Sequence, residues 1–115
     1  MRDYQQFSFW QRNHQLTLKI YQATKLFPKE EIYGLVSQMR RSSSSVPTNI
    51  AEGCGRFSNA ELKRFLTIAA GSISELNYQL ILSKDLHYLS ETLFKELHDE
   101  TIQIRKMIHR YCEKL

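Results

Sequence analysis

Glycine, proline and cysteine are scarce in this chain, and no long apolar run is present. The 115 residues include 4 Gly and 2 Pro, too few for the many turns of an all-β fold. The two cysteines, Cys54 and Cys112, cannot form a disulfide framework, and no CxxC pair indicates a zinc site. Because neither a signal-peptide core nor a transmembrane run is visible, we expect a cytoplasmic protein with reduced thiols and no membrane partner.

Positive charge exceeds negative charge only in the first half of the sequence. The net charge is +4 at pH 7; residues 1–60 contain eight Lys and Arg against four Asp and Glu, and residues 61–115 contain eight of each. Such an excess suits an anionic partner such as RNA, and it also suits an ordinary solvated surface. Charge alone leaves both interpretations open.

The spacing of apolar residues predicts a first pair of α-helices. One helix should run over about residues 8–25 and end at Phe27, because a residue before proline avoids helical dihedral angles. Pro28 suits the first turn of a second helix. Gly53 and Gly55 are its predicted stops.

A second pair of helices follows. Ser58 and Glu61 form a capping box that begins a helix over residues 59–84. Ser90 caps the last helix, in which apolar residues recur every three or four positions as far as Leu115. The connections are short, so residues 1–115 are predicted to form one all-α domain, an antiparallel up-down-up-down four-helix bundle.

Pro47 lies inside the second predicted helix. Proline cannot donate a backbone hydrogen bond to the carbonyl four residues before it, so we expect the helix to be kinked or interrupted near Pro47. The serines at 42–45 and Asn49 are expected to return hydrogen bonds to the backbone there. A polar pocket around Asn49 is the functional alternative.

Two adjacent arginines precede this proline. Arg40 and Arg41 differ by about 100° around a helix, so one should reach solvent while the other turns towards the bundle. An inward arginine needs a partner, and Glu52 or Glu75 are the predicted carboxylates. Glu52 should also pair with Arg56 one helical turn later.

Six bases are candidate phosphate contacts, since Lys and Arg bind nucleic-acid backbones by charge. In the alternative interpretation, they stabilise helix packing or contacts between subunits. The candidates are Arg12, Arg40, Arg41, Arg56, Lys63 and Arg64.

Apolar residues outside the main helix seams favour self-association over a monomer with wide helices. They are the wide arc of Phe65, Leu66 and Ile68, the consecutive Leu80, Ile81 and Leu82, and Phe94, Ile102 and Met107.

Catalysis and metal binding have little support in the sequence. His98 and His109 lie about 16 Å apart along one helix, too far to share a metal ion. The Arg105–His109 pair is similar to the motif of small helical HEPN ribonucleases, but its spacing is shorter. No catalytic triad, phosphate loop or carboxylate pair is present. We therefore expect neither an enzyme nor a cofactor, and a ribonuclease is the weaker alternative.

Several blocks carry a family likeness: Phe9-Trp10-Gln11, residues 27–35, 37–41 and 45–53, Arg56, and segments between Arg64 and Leu76. In these blocks, which extend over most of the chain, the sequence resembles the four-helix-bundle proteins encoded in intervening sequences of 23S rRNA. It differs at Cys54, where the family has an apolar residue, and at Ser42-Ser43-Ser44, where the family is richer in alanine.

The resemblance implies an up-down bundle that assembles as a homopentamer, lacks an established enzymatic activity and has a supposed role with RNA. A distant likeness to the basic accessory protein of diversity-generating retroelements implies a nucleic-acid-handling protein as a partner. The resemblance also implies structural roles for the motif positions Pro47, Asn49, Glu52, Gly53 and Glu75.

Overall fold

Four α-helices account for most of the structure, a computed structural model that describes residues 2–115. No β-strand occurs in these residues, so the all-α prediction is confirmed. Two short 3₁₀ helices, Tyr4–Gln6 and Lys29–Glu31, precede the first and the second α-helix. The α-helices are α1 (Ser8–Thr24), α2 (Leu35–Cys54), α3 (Asn59–Asp85) and α4 (Glu91–Glu113).

Neighbouring helices run in opposite directions. Near the start of α1, Trp10 Nε1 donates to the carbonyl of Pro47 late in α2, at 3.2 Å. At the other end of α1, Thr24 Oγ1 accepts from Arg40 Nε early in α2, at 3.0 Å. The predicted up-down-up-down bundle is therefore confirmed. Its core consists of fully buried side chains from all four helices, including Leu16, Ile20, Met39, Ile50, Leu66, Leu76, Leu97, Ile104 and Ile108.

The second helix begins later than predicted. Pro28 precedes the 3₁₀ turn, and the non-helical backbone of Gly34 (φ −114°, ψ −112°) separates that turn from α2. Glu31 then accepts a hydrogen bond from the backbone N–H of Leu35 at 3.2 Å. The other oxygen of Glu31 accepts from the hydroxyl of Tyr88 at 3.0 Å, a bond that raises the pKa of Tyr88. The prediction that α2 starts at Pro28 is thus wrong, because Gly34 breaks the helical path.

Pro47 does not interrupt α2, which continues from Leu35 to Cys54. The carbonyl of Ser43, which loses its usual partner at position 47, accepts from Asn13 Nδ2 and from Thr17 Oγ1, both at 3.1 Å. All three residues are buried. We call Asn13, Thr17, Ser43 and Pro47 the Pro47 clamp. Because α1 supplies the missing donors, the helix tolerates its proline.

The serines around the clamp return hydrogen bonds to the backbone, as predicted. Ser43 and Ser44 hydroxyls donate to the carbonyl of Arg40, at 3.1 and 2.8 Å. Asn49 Nδ2 donates to the carbonyl of Ser45 at 2.8 Å, rather than to the carbonyl that Pro47 frees. These local bonds compensate a helix segment poor in strong helix formers.

Gly53 lies inside α2 and is a close contact with α3 rather than the predicted helix stop. A Cβ atom placed on Gly53 would lie 2.9 Å from Phe65 Cβ and 3.0 Å from Leu62 Cδ1. Gly55 instead follows the last helical residue, as predicted. The small size of Gly53 therefore sets how closely α2 approaches α3.

Most of the apolar surface predicted for self-association is used within one chain. Phe65 is buried and Met107 is half-buried, whereas Ile68 is 41% exposed. The most exposed apolar side chains lie instead in two connecting segments: Leu26, Tyr33 and Phe57. Within residues 2–115, no helix combines the length and the apolar composition needed to cross a membrane.

Candidate nucleic-acid interface

Arg12 joins α1 to α4. Its Nε donates to Glu100 Oε2 at 3.0 Å, and a second nitrogen bonds the other oxygen of the same carboxylate. This bidentate contact raises the pKa of Arg12. Arg12 is one of the six candidate phosphate contacts, and its charge therefore already has a carboxylate partner on another helix.

Arg40 and Arg41 have different environments, as predicted. The guanidinium of Arg40 donates to Thr24 Oγ1 at 3.0 Å and to the carbonyl of Tyr21 at 3.3 Å, and it lies 4.7 Å from the centre of the Tyr21 ring. Arg41 is exposed. The predicted carboxylate partner of the inward arginine is wrong, because an aromatic face and backbone oxygen replace it.

The two predicted carboxylates contact other residues. Glu52 lies 4.0 Å from Arg56, as predicted for one helical turn, and both side chains are about half exposed. An exposed pair of this kind contributes only about 0.3 kcal/mol. Glu75 accepts from Gln79 Nε2 at 3.4 Å, and Gln79 in turn accepts from the buried Ser42 hydroxyl at 2.7 Å. Glu75 thus supports a polar bridge between α3 and α2.

Arg56 and Arg64 flank one aromatic ring near the start of α3. Their guanidinium groups lie 4.9 and 4.8 Å from the centre of the Phe65 ring. The neighbouring Phe57 is 91% exposed in the connection between α2 and α3. Two of the predicted basic residues therefore pack on the buried Phe65 ring, whereas the exposed ring in the preceding connection is Phe57.

Lys63 lies in a groove of about 860 Å³ between the start of α3 and the end of α4, which we call the α3–α4 groove. Three bases that the sequence analysis did not select, Arg105, Lys106 and Arg110, line the same groove. His109 and Glu113 lie there too, with 3.9 Å between His109 Nε2 and Glu113 Oε1. The groove thus has four permanent positive charges and one acid.

The charges of this groove are unpaired. Its four lysine and arginine side chains are exposed, and none forms a salt bridge with another residue in the described range. Like charges focused in a concave surface attract anions. The α3 side of the groove includes the small residues Ala70 and Gly71. A Cβ atom on Gly71 would meet nothing within 4 Å.

The equal numbers of acidic and basic residues in residues 61–115 conceal this basic groove in the sequence. The first half of α4 is mostly acidic, with Glu91, Glu96, Asp99 and Glu100. The second half is mostly basic, with Arg105, Lys106 and Arg110, and Lys114 directly follows the helix. The acidic and the basic residues of α4 therefore nearly cancel in the net charge of this helix. The signal that could have located the groove is the separation of charge along one helix, combined with the antiparallel packing that brings late α4 beside early α3.

Other chemistry is sparse in the described residues. No three His, Cys, Asp or Glu side chains within residues 2–115 come together in a way that could hold a metal ion. Cys112 lines the α3–α4 groove, and burial raises the pKa of its thiol. A protonated thiol is a weak nucleophile.

The fold and this site define an antiparallel four-helix-bundle protein with a basic groove at one end. The chain belongs to the 23S rRNA-intervening sequence protein family, whose sequence pattern matches residues 5–110. Among solved structures, it is similar to a protein of unknown function of the S23 ribosomal protein family from Bacteroides thetaiotaomicron. The two share 20% identity over 91% of this chain and 95% of that chain, with a TM-score of 0.83. Comparison with curated protein sequences finds no significant match.

Proposed function

We propose that this protein is a non-enzymatic RNA-binding protein whose α3–α4 groove binds the phosphate backbone. The observation that carries the proposal is the convergence of four unpaired bases, Lys63, Arg105, Lys106 and Arg110, on one concave surface. The family's link with rRNA intervening sequences supports RNA as the polyanion.

The groove suits a backbone rather than a base-specific contact. Its lining contains no Phe, Tyr or Trp on which a nucleobase could stack. Its basic side chains project from two antiparallel helices. Exposed lysines and arginines bind phosphates without reading sequence. We therefore expect binding that depends strongly on salt and weakly on RNA sequence.

Measuring RNA affinity against salt concentration tests this proposal. In the triple variant Lys63→Ala/Arg105→Ala/Arg110→Ala, the slope of log K against log salt should fall by about 2, since each contact to a single strand contributes about 0.7. The measurement is fluorescence anisotropy with a labelled RNA at several salt concentrations.

A matched control removes the same net charge elsewhere. Lys19, Lys84 and Lys95 lie outside the α3–α4 groove, so their triple alanine variant should retain the wild-type slope. Equal losses in both triple variants would show that net charge, and not the groove, determines binding. Absence of salt-dependent RNA binding in the wild type would exclude the function.

Assembly of several copies is a second part of the proposal, favoured by apolar side chains that one chain leaves in water. Phe57 is 91% exposed and Ile68 is 41% exposed. A ring of identical chains, pentameric as the resemblance implies, would present the α3–α4 groove several times and raise the avidity for long RNA. Light scattering at micromolar concentration tests this, and a monomer would contradict it.

The ribonuclease alternative keeps one observation in its favour, because Arg105 and His109 both line the α3–α4 groove. Incubation with labelled RNA separates the two functions. We expect the RNA to remain intact; cleavage by the wild type that disappears in His109→Ala would replace the binding proposal with a catalytic one.

A further inference from the structure

A second groove of about 800 Å³ lies between the end of α1 and the start of α2, at the opposite end of the bundle from the α3–α4 groove. We call it the α1–α2 groove. Unlike the α3–α4 groove, it combines basic side chains with aromatic rings. Its lining includes Tyr21, Lys25, Lys29, Tyr33, Arg40 and Arg41.

Tyr33 provides a free aromatic face beside this groove. Its side chain is 96% exposed, so its ring has almost no packing within the chain. The backbone around it is nevertheless anchored, because Glu31 contacts both the Tyr88 hydroxyl and the backbone N–H of Leu35. An exposed ring on an anchored segment can stack against a flat ligand with little further loss of backbone freedom.

Arg40 and Tyr21 form a fixed wall of the same groove. The guanidinium lies 4.7 Å from the ring centre, and its bonds to Thr24 Oγ1 and to the Tyr21 carbonyl hold it there. Both groups are planar and polarizable, as are nucleobases. Stacked arginine and tyrosine side chains are common surfaces for unpaired bases.

The remaining charges of the groove are available to phosphates. Lys25, Lys29 and Arg41 are exposed, and no salt bridge involves them within the described range. Of the two nearby acids, Glu31 is held by Tyr88 and Leu35, and exposed Glu30 does not line the groove. The groove therefore has a net positive charge next to an unpacked aromatic ring.

From this arrangement we propose that the α1–α2 groove is a second RNA site, specific for single strands. An unpaired base stacks on Tyr33, and the adjoining phosphates contact Lys25, Lys29 and Arg41. Because the bases of a duplex are stacked on each other, a duplex cannot use the ring. This inference rests on the proposed function only for the choice of RNA as the ligand. Its structural argument comes from the α1–α2 groove and not from the α3–α4 groove.

Binding of two labelled RNAs tests the inference: a 12-nucleotide oligouridylate, and a 12-base-pair hairpin whose strands are joined by a non-nucleotide linker, so that it has no unpaired base. Tyr33→Ala should weaken oligouridylate binding about tenfold, since it removes the ring on which one base stacks. It should leave hairpin binding unchanged. Tyr33→Phe keeps the ring and should bind within about twofold of wild type. Leu26→Ala removes an equally exposed side chain that does not line the groove, and it should have no effect.

Each other outcome counts against the inference. Unchanged oligouridylate affinity in Tyr33→Ala, or an equal loss for the hairpin, would overturn it. A change in oligomer size with unchanged RNA affinity would also overturn it and assign Tyr33 to contacts between copies. If only the α3–α4 groove variant loses RNA, the proposed function stands without this second site; if the wild type binds neither RNA, both proposals fail.

Discussion

The double variant Asn13→Ala/Thr17→Val is expected to unfold more easily than wild type by about 3 kcal/mol. These two side chains are the donors that bond the carbonyl of Ser43, the carbonyl that Pro47 leaves without a helical partner. The carbonyl is buried in the Pro47 clamp, so water cannot replace the lost donors without entering the core. A buried, unpaired carbonyl alone costs about 1–3 kcal/mol, and truncating the fully buried Asn13 side chain adds a cavity.

A third substitution distinguishes this mechanism from general loss of packing. Pro47→Ala restores a backbone N–H that can bond the Ser43 carbonyl within α2. In that background, the same double variant should lose about 1–2 kcal/mol less stability, because the carbonyl keeps a partner. Urea denaturation of the four proteins measures the coupling. An identical loss in both backgrounds would mean that Asn13 and Thr17 act only through packing.

Gly53→Ala is expected to lower the free energy of unfolding by about 2 kcal/mol. The new methyl group would lie 2.9 Å from Phe65 Cβ and 3.0 Å from Leu62 Cδ1, so α2 and α3 would have to separate. Phe65 Cβ is fixed to the backbone of α3, and the terminal methyl of Leu62 is fully buried, so a change of rotamer alone cannot relieve the overlap. Alanine's better helix propensity, about 1 kcal/mol, offsets only part of this cost.

Gly71→Ala is the matched control in the same bundle. Gly71 lies inside α3, and a Cβ atom there would meet nothing within 4 Å. The same change of residue should therefore raise the free energy of unfolding by about 1 kcal/mol. Thermal and urea unfolding of both variants check the opposite signs. A destabilised Gly71→Ala, or a stabilised Gly53→Ala, would contradict the role assigned to the α2–α3 contact.

The helices were predictable because their signals are local. The capping box of Ser58 and Glu61 places the start of α3, where Ser58 Oγ accepts from the backbone of Glu61 at 3.1 Å. The start of α2 was not predictable, because Pro28 is an acceptable first helical residue in isolation. The start of α2 at Leu35 depends on the carboxylate of Glu31, which accepts from the backbone N–H of Leu35. That carboxylate is held by Tyr88, 57 residues away in the sequence.

The candidate site was harder to predict than the fold, because charges act across helices. Lys63 was selected from the sequence, whereas its neighbours Arg105 and Arg110 are more than forty residues away along the chain. One of the two arginines was expected to turn inward without a choice between them, and Arg40 is the one that does. Its partner was predicted to be a carboxylate. An aromatic partner such as Tyr21 becomes visible only when α1 and α2 are placed side by side.

The bond between Trp10 and the carbonyl of Pro47 also has an optical consequence. Trp10 is the chain's single tryptophan, and its indole stacks on the exposed His14 ring with 5.3 Å between the ring centres. Its emission therefore originates where α1 meets the proline of α2. Tryptophan fluorescence from the unlabelled protein thus reports separation of α1 from α2.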